Sequence, residues 1–385
     1  MISYIEGIFK LSICISGWIP IITCMKSITI LLVAGLFFTV STKHGASPEV
    51  DHSLSDATAV KQDTLRKRKA GSPLDALPAN IEILTYFGER ADISPDNQRV
   101  AFMSKSFGDA MVIDLKTRNI QCLTCNVPAA AFLRVMHLPS GDYILIGPDH
   151  FEDIRISRSR DNELWFLSKD RGAKPVKLGQ KMSEGAVISK KNMKIAFSEL
   201  PLHASDLAQG ASRLIVADLD ILSGTPKISN RKIVYESKDR NCTIEPQDFY
   251  DNDTKLTFTC YEPNDNASVM VIDLKTGEVT NHSKLPNEYN EVEGIFPDGR
   301  YTCVESDHQC RRLGGHGSGQ IDIWKLKLDG TGKDFVRLTH FNDYEGGKAS
   351  NPAVSTDGNF MAFQYAKTTD AAGVGYGILL YRFRK

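Results

Sequence analysis

The sequence repeats a short pattern in which two apolar segments flank a polar turn. Residues 91–102 (ADISPDNQRVAF) and 352–363 (PAVSTDGNFMAF) are the two most similar copies, and weaker copies lie at 136–145, 187–197, 248–258 and 294–303. The turns are rich in Pro, Asp, Gly or Asn and the flanks alternate with a period of two residues, which is typical of a β-hairpin. This period excludes a repeat built from helices.

A third strand follows each hairpin, and a fourth follows several of them. The third-strand segments lie at 111–117, 164–170, 214–220, 269–277, 323–330 and 378–383, and fourth-strand segments lie at 120–124 and 335–339. Four antiparallel strands followed by a restart, at intervals of roughly 40 to 60 residues, are typical of propeller blades. The sequence therefore predicts an all-β fold, a six-bladed β-propeller of four-stranded antiparallel blades.

The two ends of the repeat region complement each other. The last blade has three strands, and the segment 81–87, which precedes the first hairpin, resembles the fourth-strand segment 336–341. We expect the N-terminal strand to complete the last blade, because this pairing closes the ring and removes two free sheet edges.

Three turn segments carry a family resemblance: 94–96 (SPD), 100–102 (VAF) and 296–299 (FPDG). They resemble the Pro-Asp repeats of TolB-like β-propellers. Residues 80–385 are also similar to exported TolB-like proteins in the phrases at 179–185, 289–299 and 349–355. TolB is a periplasmic partner-binding protein, and similar propellers include pectin-fragment lyases and hydrolase-associated domains, so the resemblance implies the fold without selecting one function.

The first residues have the layout of a secretory signal. Residues 11–24 and 28–40 are apolar, Lys26 lies between them, and the small residues Gly45 and Ala46 follow. We interpret 1–46 as a signal peptide or, since 11–40 is long enough to span a bilayer, a signal anchor, with Met1 or Met25 as the start. Residues 47–78 are predicted to form a disordered linker and 79–385 the propeller. The basic run at 66–69 is either a protease processing site or a solvated charge run.

Cysteines and glycosylation sequons agree with export. An oxidising compartment favours disulfides, and the candidates are Cys122, Cys125, Cys242, Cys260, Cys303 and Cys310. Asn-x-Ser/Thr sequons lie at Asn241, Asn252, Asn266 and Asn281, and their clustering suggests one exposed face or blade. We predict a secreted or secretory-lumen protein, or alternatively a membrane protein held only by its anchor.

Charge and missing motifs exclude several functions. The chain has 46 basic and 47 acidic side chains, which argues against nucleic-acid binding. It also lacks a nucleophile elbow, a phosphate-binding loop, a His-Glu-x-x-His motif and a dinucleotide fingerprint.

Aligning the hairpins places glutamates at one register, just before the innermost strand of four blades: Glu89, Glu184, Glu245 and Glu291. Such a ring at one channel mouth can bind a cation, supply a general acid and base, or satisfy strand-entry amides. The candidate metal ligands for calcium, magnesium or manganese are Glu184, Glu245 and Glu291, which are also the catalytic candidates together with His308 and His316. The candidate ligand-binding residues are Glu89, Arg90, Arg134, Glu293 and Asn351.

Both histidines belong to a Gly-rich insertion, 305–319, whose base Cys303 and Cys310 could staple. The leading prediction is a propeller that binds a small molecule, a glycan or a protein at an acidic mouth. The alternative is a secretory-pathway enzyme, a metal-assisted lyase, hydrolase or isomerase that uses the same face.

Overall fold

The computed structural model describes residues 66–221, 224–238, 242–370 and 373–383. The predicted signal or anchor and the first part of the predicted linker lie outside these residues. Within the described part, no helix is long and apolar enough to cross a membrane.

The first strand, β1 (Ile81–Ile83), precedes three complete blades. Blade one consists of β2 (Glu89–Ile93), β3 (Arg99–Met103), β4 (Ala110–Asp114) and β5 (Ile120–Cys122). Blade two consists of β6 (Arg134–His137), β7 (Tyr143–Pro148), β8 (Asn162–Leu167) and β9 (Val176–Lys181). Blade three consists of β10 (Ala186–Ile188), β11 (Lys194–Glu199), β12 (Arg213–Asp220) and β13 (Lys227–Glu236).

Two further complete blades and the shared one follow. Blade four consists of β14 (Thr243–Tyr250), β15 (Lys255–Glu262), β16 (Asn266–Asp273) and β17 (Val279–Asn281). Blade five consists of β18 (Asn290–Ile295), β19 (Tyr301–Ser306), β20 (Asp322–Lys327) and β21 (Phe335–Arg337). Blade six consists of β22 (Gly347–Val354), β23 (Phe360–Lys367), β24 (Ile378–Arg382) and β1. All pairings within the blades are antiparallel, so the predicted six-bladed propeller is confirmed.

The ring closes through β1 and β24. Ile81 pairs with Tyr381, and Ile83 pairs with Leu379. Ile81 and Leu379 both belong to the core cluster between blades five and six. The predicted completion of the last blade by the N-terminal strand is therefore confirmed.

One apolar position on the second strand of every blade packs against the preceding blade. The six residues at this position are fully buried and belong to six different core clusters, one at each junction between blades: Phe102, Leu145, Phe197, Phe258, Val304 and Phe363. We call these clusters the interblade layers. Their dispersion and hydrophobic burial hold neighbouring blades together, because few hydrogen bonds of the sheets cross from blade to blade.

The helical segments are single turns. They are Pro73–Ala76, Ile154–Ile156, Ser157–Asp161, Cys310–Leu313 and Phe341–Asp343. The second and third lie in the connection between β7 and β8, and the fourth lies between β19 and β20. These connections lie on the face of the propeller at which the innermost strand of each blade begins.

Four of the six candidate cysteines form two disulfides, Cys122–Cys125 and Cys242–Cys260. The expected pairing of Cys303 with Cys310 is wrong, since both thiols are free and buried. The Cys303 Sγ lies 3.8 Å from the Met361 Sδ in an interblade layer, whereas Cys310 begins a helical turn beside Arg68. Burial raises the pKa of the Cys310 thiol to about 11.

The predicted sequons share one blade but not one face. Asn252 lies in the exposed turn between β14 and β15, Asn266 begins β16 at the opposite end, and Asn281 ends β17. Asn241 lies outside the described residues. Glycosylation at all four positions stays a prediction.

The segment 66–78, which the sequence assigns to a disordered linker, lies against blades five and six. The Arg68 guanidinium donates hydrogen bonds to the carbonyl oxygens of Leu313 (3.2 Å), Gly314 (2.9 Å) and Asn342 (3.1 Å). It also donates to the Gln320 Oε1 at 2.9 Å. The sequence gives no sign of these Arg68 contacts, because the acceptors come from segments more than 240 residues away.

Replacing Arg68 should therefore destabilise the propeller although it lies in the N-terminal segment. We expect Arg68→Ala to lower the free energy of unfolding by about 2–3 kcal/mol, because several carbonyl oxygens lose a charged donor. Lys67→Ala is the matched control, since the Lys67 side chain is exposed. Denaturant titration of both variants measures their free energies of unfolding. Equal stability of the two variants would contradict the stabilising role of Arg68.

Candidate functional site

The four predicted glutamates line one cavity at the mouth of the ring. This mouth cavity has a volume of about 270 Å³ and is open to solvent. Glu89 pairs with Met103, Glu245 with Thr259 and Glu291 with Glu305, which are equivalent positions of the hairpins. The register deduced from the repeat thus brings these side chains together, while their chemical roles stay predictions.

Arginines lie beside three of the glutamates, and two of them, Arg90 and Arg134, are ligand-binding candidates of the sequence analysis. The Arg134 Nη2 lies 3.4 Å from the Glu245 Oε1, and the Arg90 Nε lies 3.8 Å from the Glu89 Oε1. The Arg158 guanidinium contacts the carboxylate of Glu184. Arg158 comes from the long connection between β7 and β8, which the sequence analysis did not connect with the glutamates.

Gly185 explains how Glu245 reaches the cavity from the neighbouring blade. A Cβ atom built on Gly185 would overlap the Glu245 side chain, with the Glu245 Cδ only 2.6 Å away. Any other residue at position 185 would have to displace Glu245. The glycine directly after Glu184 is therefore a local signal for close contact between blades three and four.

Arg90 and Asn351 occupy equivalent bulges in the innermost strands. The pairing register shifts between Glu89 and Asp92 and again between Ser350 and Ala353. Arg90 has φ 55° and Asn351 has φ 49°, a left-handed conformation that is uncommon for residues other than glycine. Both residues line the mouth cavity, as the sequence predicted.

Three carboxyl groups converge on the blade-five side of the mouth. One carboxylate oxygen from each of Glu291, Glu293 and Glu305 lies within 4.8 Å of the other two. Glu305 was assigned to the inserted loop by the sequence analysis, but it lies in β19 directly opposite Glu291. Hairpin pairing register would have identified it, since Glu291 and Glu305 are cross-strand partners.

Burial and mutual repulsion favour protonation of this acid cluster. Burial, followed by the charge of Glu291, raises the pKa of Glu305 to about 8. Burial and the Glu305 charge raise the pKa of Glu293 well above its usual range, and burial and the Glu245 charge raise that of Glu291. Close carboxyl groups in a dry environment cannot all ionise at neutral pH.

Two tyrosines hold Glu291. The Tyr289 and Tyr261 hydroxyl groups both donate to its carboxylate, and the Tyr261 oxygen also lies 3.0 Å from the Glu245 Oε2. A tyrosine has one hydroxyl proton, so both contacts of Tyr261 are hydrogen bonds only when one of the two carboxyl groups is protonated. This geometry agrees with the raised pKa of Glu291. The tyrosines gave no sequence signal, because their positions do not repeat between blades.

The two predicted histidines do not line the mouth cavity. The His308 Nδ1 lies 2.9 Å from the Glu288 Oε2, and its ring packs against Trp324. The His316 Nδ1 lies 2.7 Å from the Asp307 Oδ2, and its Nε2 lies 3.0 Å from the Asn264 carbonyl oxygen. The structure does not bring either histidine to the glutamates, because these partners hold the rings inside the inserted loop and beside its base. A catalytic role of the histidines stays a prediction.

A second, small cavity of about 80 Å³ continues along the channel and shares Arg90, Arg134 and Asn351 with the mouth. The Lys190 Nζ lies 2.6 Å from the Asp92 Oδ1, and burial raises the pKa of Asp248 to about 7. Asp92 and Asp248 follow Glu89 and Glu245 by the same three residues. The repeat therefore contained a second acidic register that the sequence analysis missed.

The predicted metal ligands do not form one ligand set. Glu184 and Glu245 contact arginines, and among the described residues the carboxylates that converge around Glu291 are Glu293 and Glu305. Three carboxylates at this spacing fit a hard cation such as Ca²⁺, Mg²⁺ or Mn²⁺, which would take the place of the bound protons.

No protein-family model matches the chain, and no curated protein matches it. Among solved structures, it is similar to a TolB protein of Agrobacterium tumefaciens, with 14% identity over 71% of this chain and 97% of that one and a TM-score of 0.47. A gluconolactonase from Xanthomonas campestris has 10% identity, coverages of 83% and 95%, and a TM-score of 0.48. An oligogalacturonate lyase in complex with manganese has 14% identity, coverages of 78% and 79%, and a TM-score of 0.46. Likeness at this level assigns no function.

The acid cluster predicts a characteristic pH dependence of stability. A carboxyl group whose pKa is raised by folding stabilises the native state below its unfolded pKa, and this contribution is lost as the pH rises through the folded value. For Glu305 the loss extends from about pH 4.5 to about pH 8. Glu305→Gln, which keeps an acceptor for the Asn351 amide, should lose less stability than the parent over this window. Thermal unfolding from pH 5 to pH 8.5 tests this, and parallel curves would contradict it.

Proposed function

We propose that this chain is an exported propeller protein that binds a small acidic sugar, or a similar acidic polyhydroxyl compound, in the mouth cavity. Charged and polar side chains from several blades converge on this cavity, as the orienting polar groups of small-molecule sites do. The two disulfides of the described part support an oxidising compartment.

The observation that carries the proposal is the balance of charge in the mouth. Its cationic side chains are Arg90, Arg134, Arg158, Lys348 and Lys367. The three arginines contact Glu89, Glu245 and Glu184, whereas Lys348 and Lys367 form no ion pair with an acid of the described chain. Asp370 is the one carboxylate that blade six adds to the lining, so its two lysines outnumber it. Since the nearby acid cluster favours its protonated form, the lysines leave the blade-six side of the mouth positive.

Each lysine is held by a neutral group. The Lys348 Nζ donates to the Ser318 carbonyl oxygen at 3.1 Å, and the Lys367 Nζ lies 4.6 Å from the centroid of the Tyr376 ring. Their charges are therefore available to an anionic group. The glutamates and protonated carboxyls opposite can accept from and donate to hydroxyl groups, as a polyhydroxyl ligand requires.

A comparison of the affinities for acidic and neutral sugars distinguishes this proposal from general sugar binding. We expect galacturonate or glucuronate to bind and galactose or glucose to bind at least about tenfold more weakly, a difference of about 1.4 kcal/mol. Lys348→Gln/Lys367→Gln should remove this preference, because it removes both unpaired cations.

The matched control is Lys116→Gln/Lys275→Gln, which makes the same charge change at exposed turns of blades one and four. Isothermal titration calorimetry on the full chain measures the binding of acidic and neutral sugars to the parent protein and to both double variants. Equal binding of acidic and neutral sugars, or an unchanged preference in the mouth variant, would contradict the proposal.

A second candidate function is a metal-assisted lyase, hydrolase or isomerase. The specific observation in its favour is the convergence of Glu291, Glu293 and Glu305 beside the hydroxyls of Tyr261 and Tyr289. A bound cation would supply Lewis acidity there. Glu291 and Tyr261 would hold or move a proton, since they are already hydrogen-bond partners.

Cation binding distinguishes the two candidates. On the metal-assisted reading, Ca²⁺, Mg²⁺ or Mn²⁺ should raise the unfolding temperature of the parent protein, and Glu293→Gln should abolish the rise. Glu278→Gln is a control, because Glu278 is an exposed acid of a blade-four turn. If none of the cations changes the unfolding temperature and elemental analysis finds no metal, the metal-assisted candidate is wrong.

A further inference from the structure

A groove of about 620 Å³ lies between the N-terminal segment and blade five, apart from the residues of the mouth. Its lining contains one acidic side chain, Asp343. It contains eight basic or imidazole side chains: Arg66, Lys67, Lys69, Arg311, Arg312, Arg337, His308 and His340. We call this feature the basic groove.

Some of these cations are neutralised by the protein. Arg337 contacts Asp322 and lies 2.8 Å from the Asp343 Oδ1, and Arg311 contacts Glu288. Arg66, Lys67 and Arg312 are exposed and form no ion pair with any acid that the structure describes. These three charges are available to a partner.

The free cations are held in place by the backbone. The Arg66 amide donates to the Arg312 carbonyl oxygen at 2.9 Å, and the Lys69 amide donates to the Asp343 carbonyl oxygen at 2.7 Å. Arg68 anchors the residues between them, as described above. The basic run 66–69 is therefore part of a preorganised surface with Arg312, which lowers the entropic cost of binding.

The basic groove is a local excess of charge. The whole chain has a formal net charge of −1, so a polyanion would be attracted to this surface and not to the protein in general. Trp324, the aromatic residue of the lining with the largest ring, is only 8% exposed. Nucleic-acid bases would find no stacking platform, which single-stranded nucleic acids generally need.

Shape and composition select among the remaining partners. A membrane surface is disfavoured because the groove is concave and its apolar lining consists of the half-buried Leu313 and the buried Trp324. Peptide ligands usually add backbone hydrogen bonds and fill apolar pockets, whereas this lining presents mainly the tips of basic side chains. A linear chain with closely spaced, permanently ionised groups matches it best.

We propose that the basic groove binds a linear sulfated polysaccharide through Arg66, Lys67 and Arg312. Its affinity depends mainly on charge and falls steeply with salt, as for other linear polyanions that release counterions on binding. This site and the mouth cavity are separate, so either can exist without the other.

Salt-dependent binding of a labelled heparin oligosaccharide to the full chain tests the proposal. Lys67→Ser/Arg312→Ser should weaken binding at least about tenfold at physiological salt and lower the slope of log K against log salt by roughly 1 to 2. Lys116→Ser/Lys275→Ser removes two exposed lysines elsewhere and should leave both quantities unchanged. Thermal unfolding of both doubles verifies that the fold is retained.

The comparison probes are desulfated heparin, poly-glutamate and vesicles that contain phosphatidylserine. Each should bind at least about tenfold more weakly than heparin. Equal losses in the two double variants would overturn the proposal, because they would show a dependence on net charge alone. Binding of poly-glutamate or the vesicles as tightly as heparin would also overturn it, in favour of an acidic peptide or a membrane.

Discussion

Apolar packing between neighbouring blades is the interaction on which the rest of this structure depends. One side chain on the second strand of each blade, such as Phe102 or Phe363, is fully buried against the blade before it. Because the hydrogen bonds of each sheet stay mostly within its blade, these interblade layers fix how the blades are arranged around the channel. The pairing of β1 with β24 then joins the ends of the chain and leaves no open blade.

This arrangement crowds several carboxylates at the mouth of the channel. The same register that buries Phe102 and Phe258 brings Glu89 and Glu245 to one end of the channel, where their charges are poorly hydrated. The chain compensates in two ways. Arg134 and Arg90 lie beside Glu245 and Glu89, whereas the cluster around Glu291 depends on tyrosine hydroxyls and on protonation. The two halves of the mouth therefore differ in charge, and this difference underlies the proposed preference for an acidic ligand.

Features that recur from blade to blade are predicted from the sequence more readily than features that occur once, although the repeated register of Asp92 and Asp248 was missed. Hairpin alternation was sufficient for the six blades, the closing strand and the glutamate register, because every copy reports the same local geometry. It was insufficient for Glu305, which was assigned to a loop since its pairing with Glu291 was not considered. It was also misleading for His308 and for the pair Cys303 and Cys310, because spacing within a long insertion does not determine which way the chain turns.

The contacts of single residues across distant segments were beyond sequence reasoning. Arg68 binds carbonyl oxygens of blade-five and blade-six connections, and Arg158 reaches Glu184 from a blade-two insertion. Neither position repeats, so no other copy indicates its role. Such contacts nevertheless determine the sites, since one organises the basic groove and the other helps to balance the mouth.

We expect the acid cluster of the mouth to retain at least one proton at neutral pH. Carbon-13 NMR of the glutamate Cδ atoms, followed from pH 4 to pH 9, tests it most directly. We predict that at least one of Glu291, Glu293 and Glu305 titrates above pH 7, with its resonance identified by its loss in the corresponding Gln variant. If all three glutamates titrate near the usual pKa range of glutamate and no carboxyl signal moves above pH 6, the cluster does not retain a proton at neutral pH.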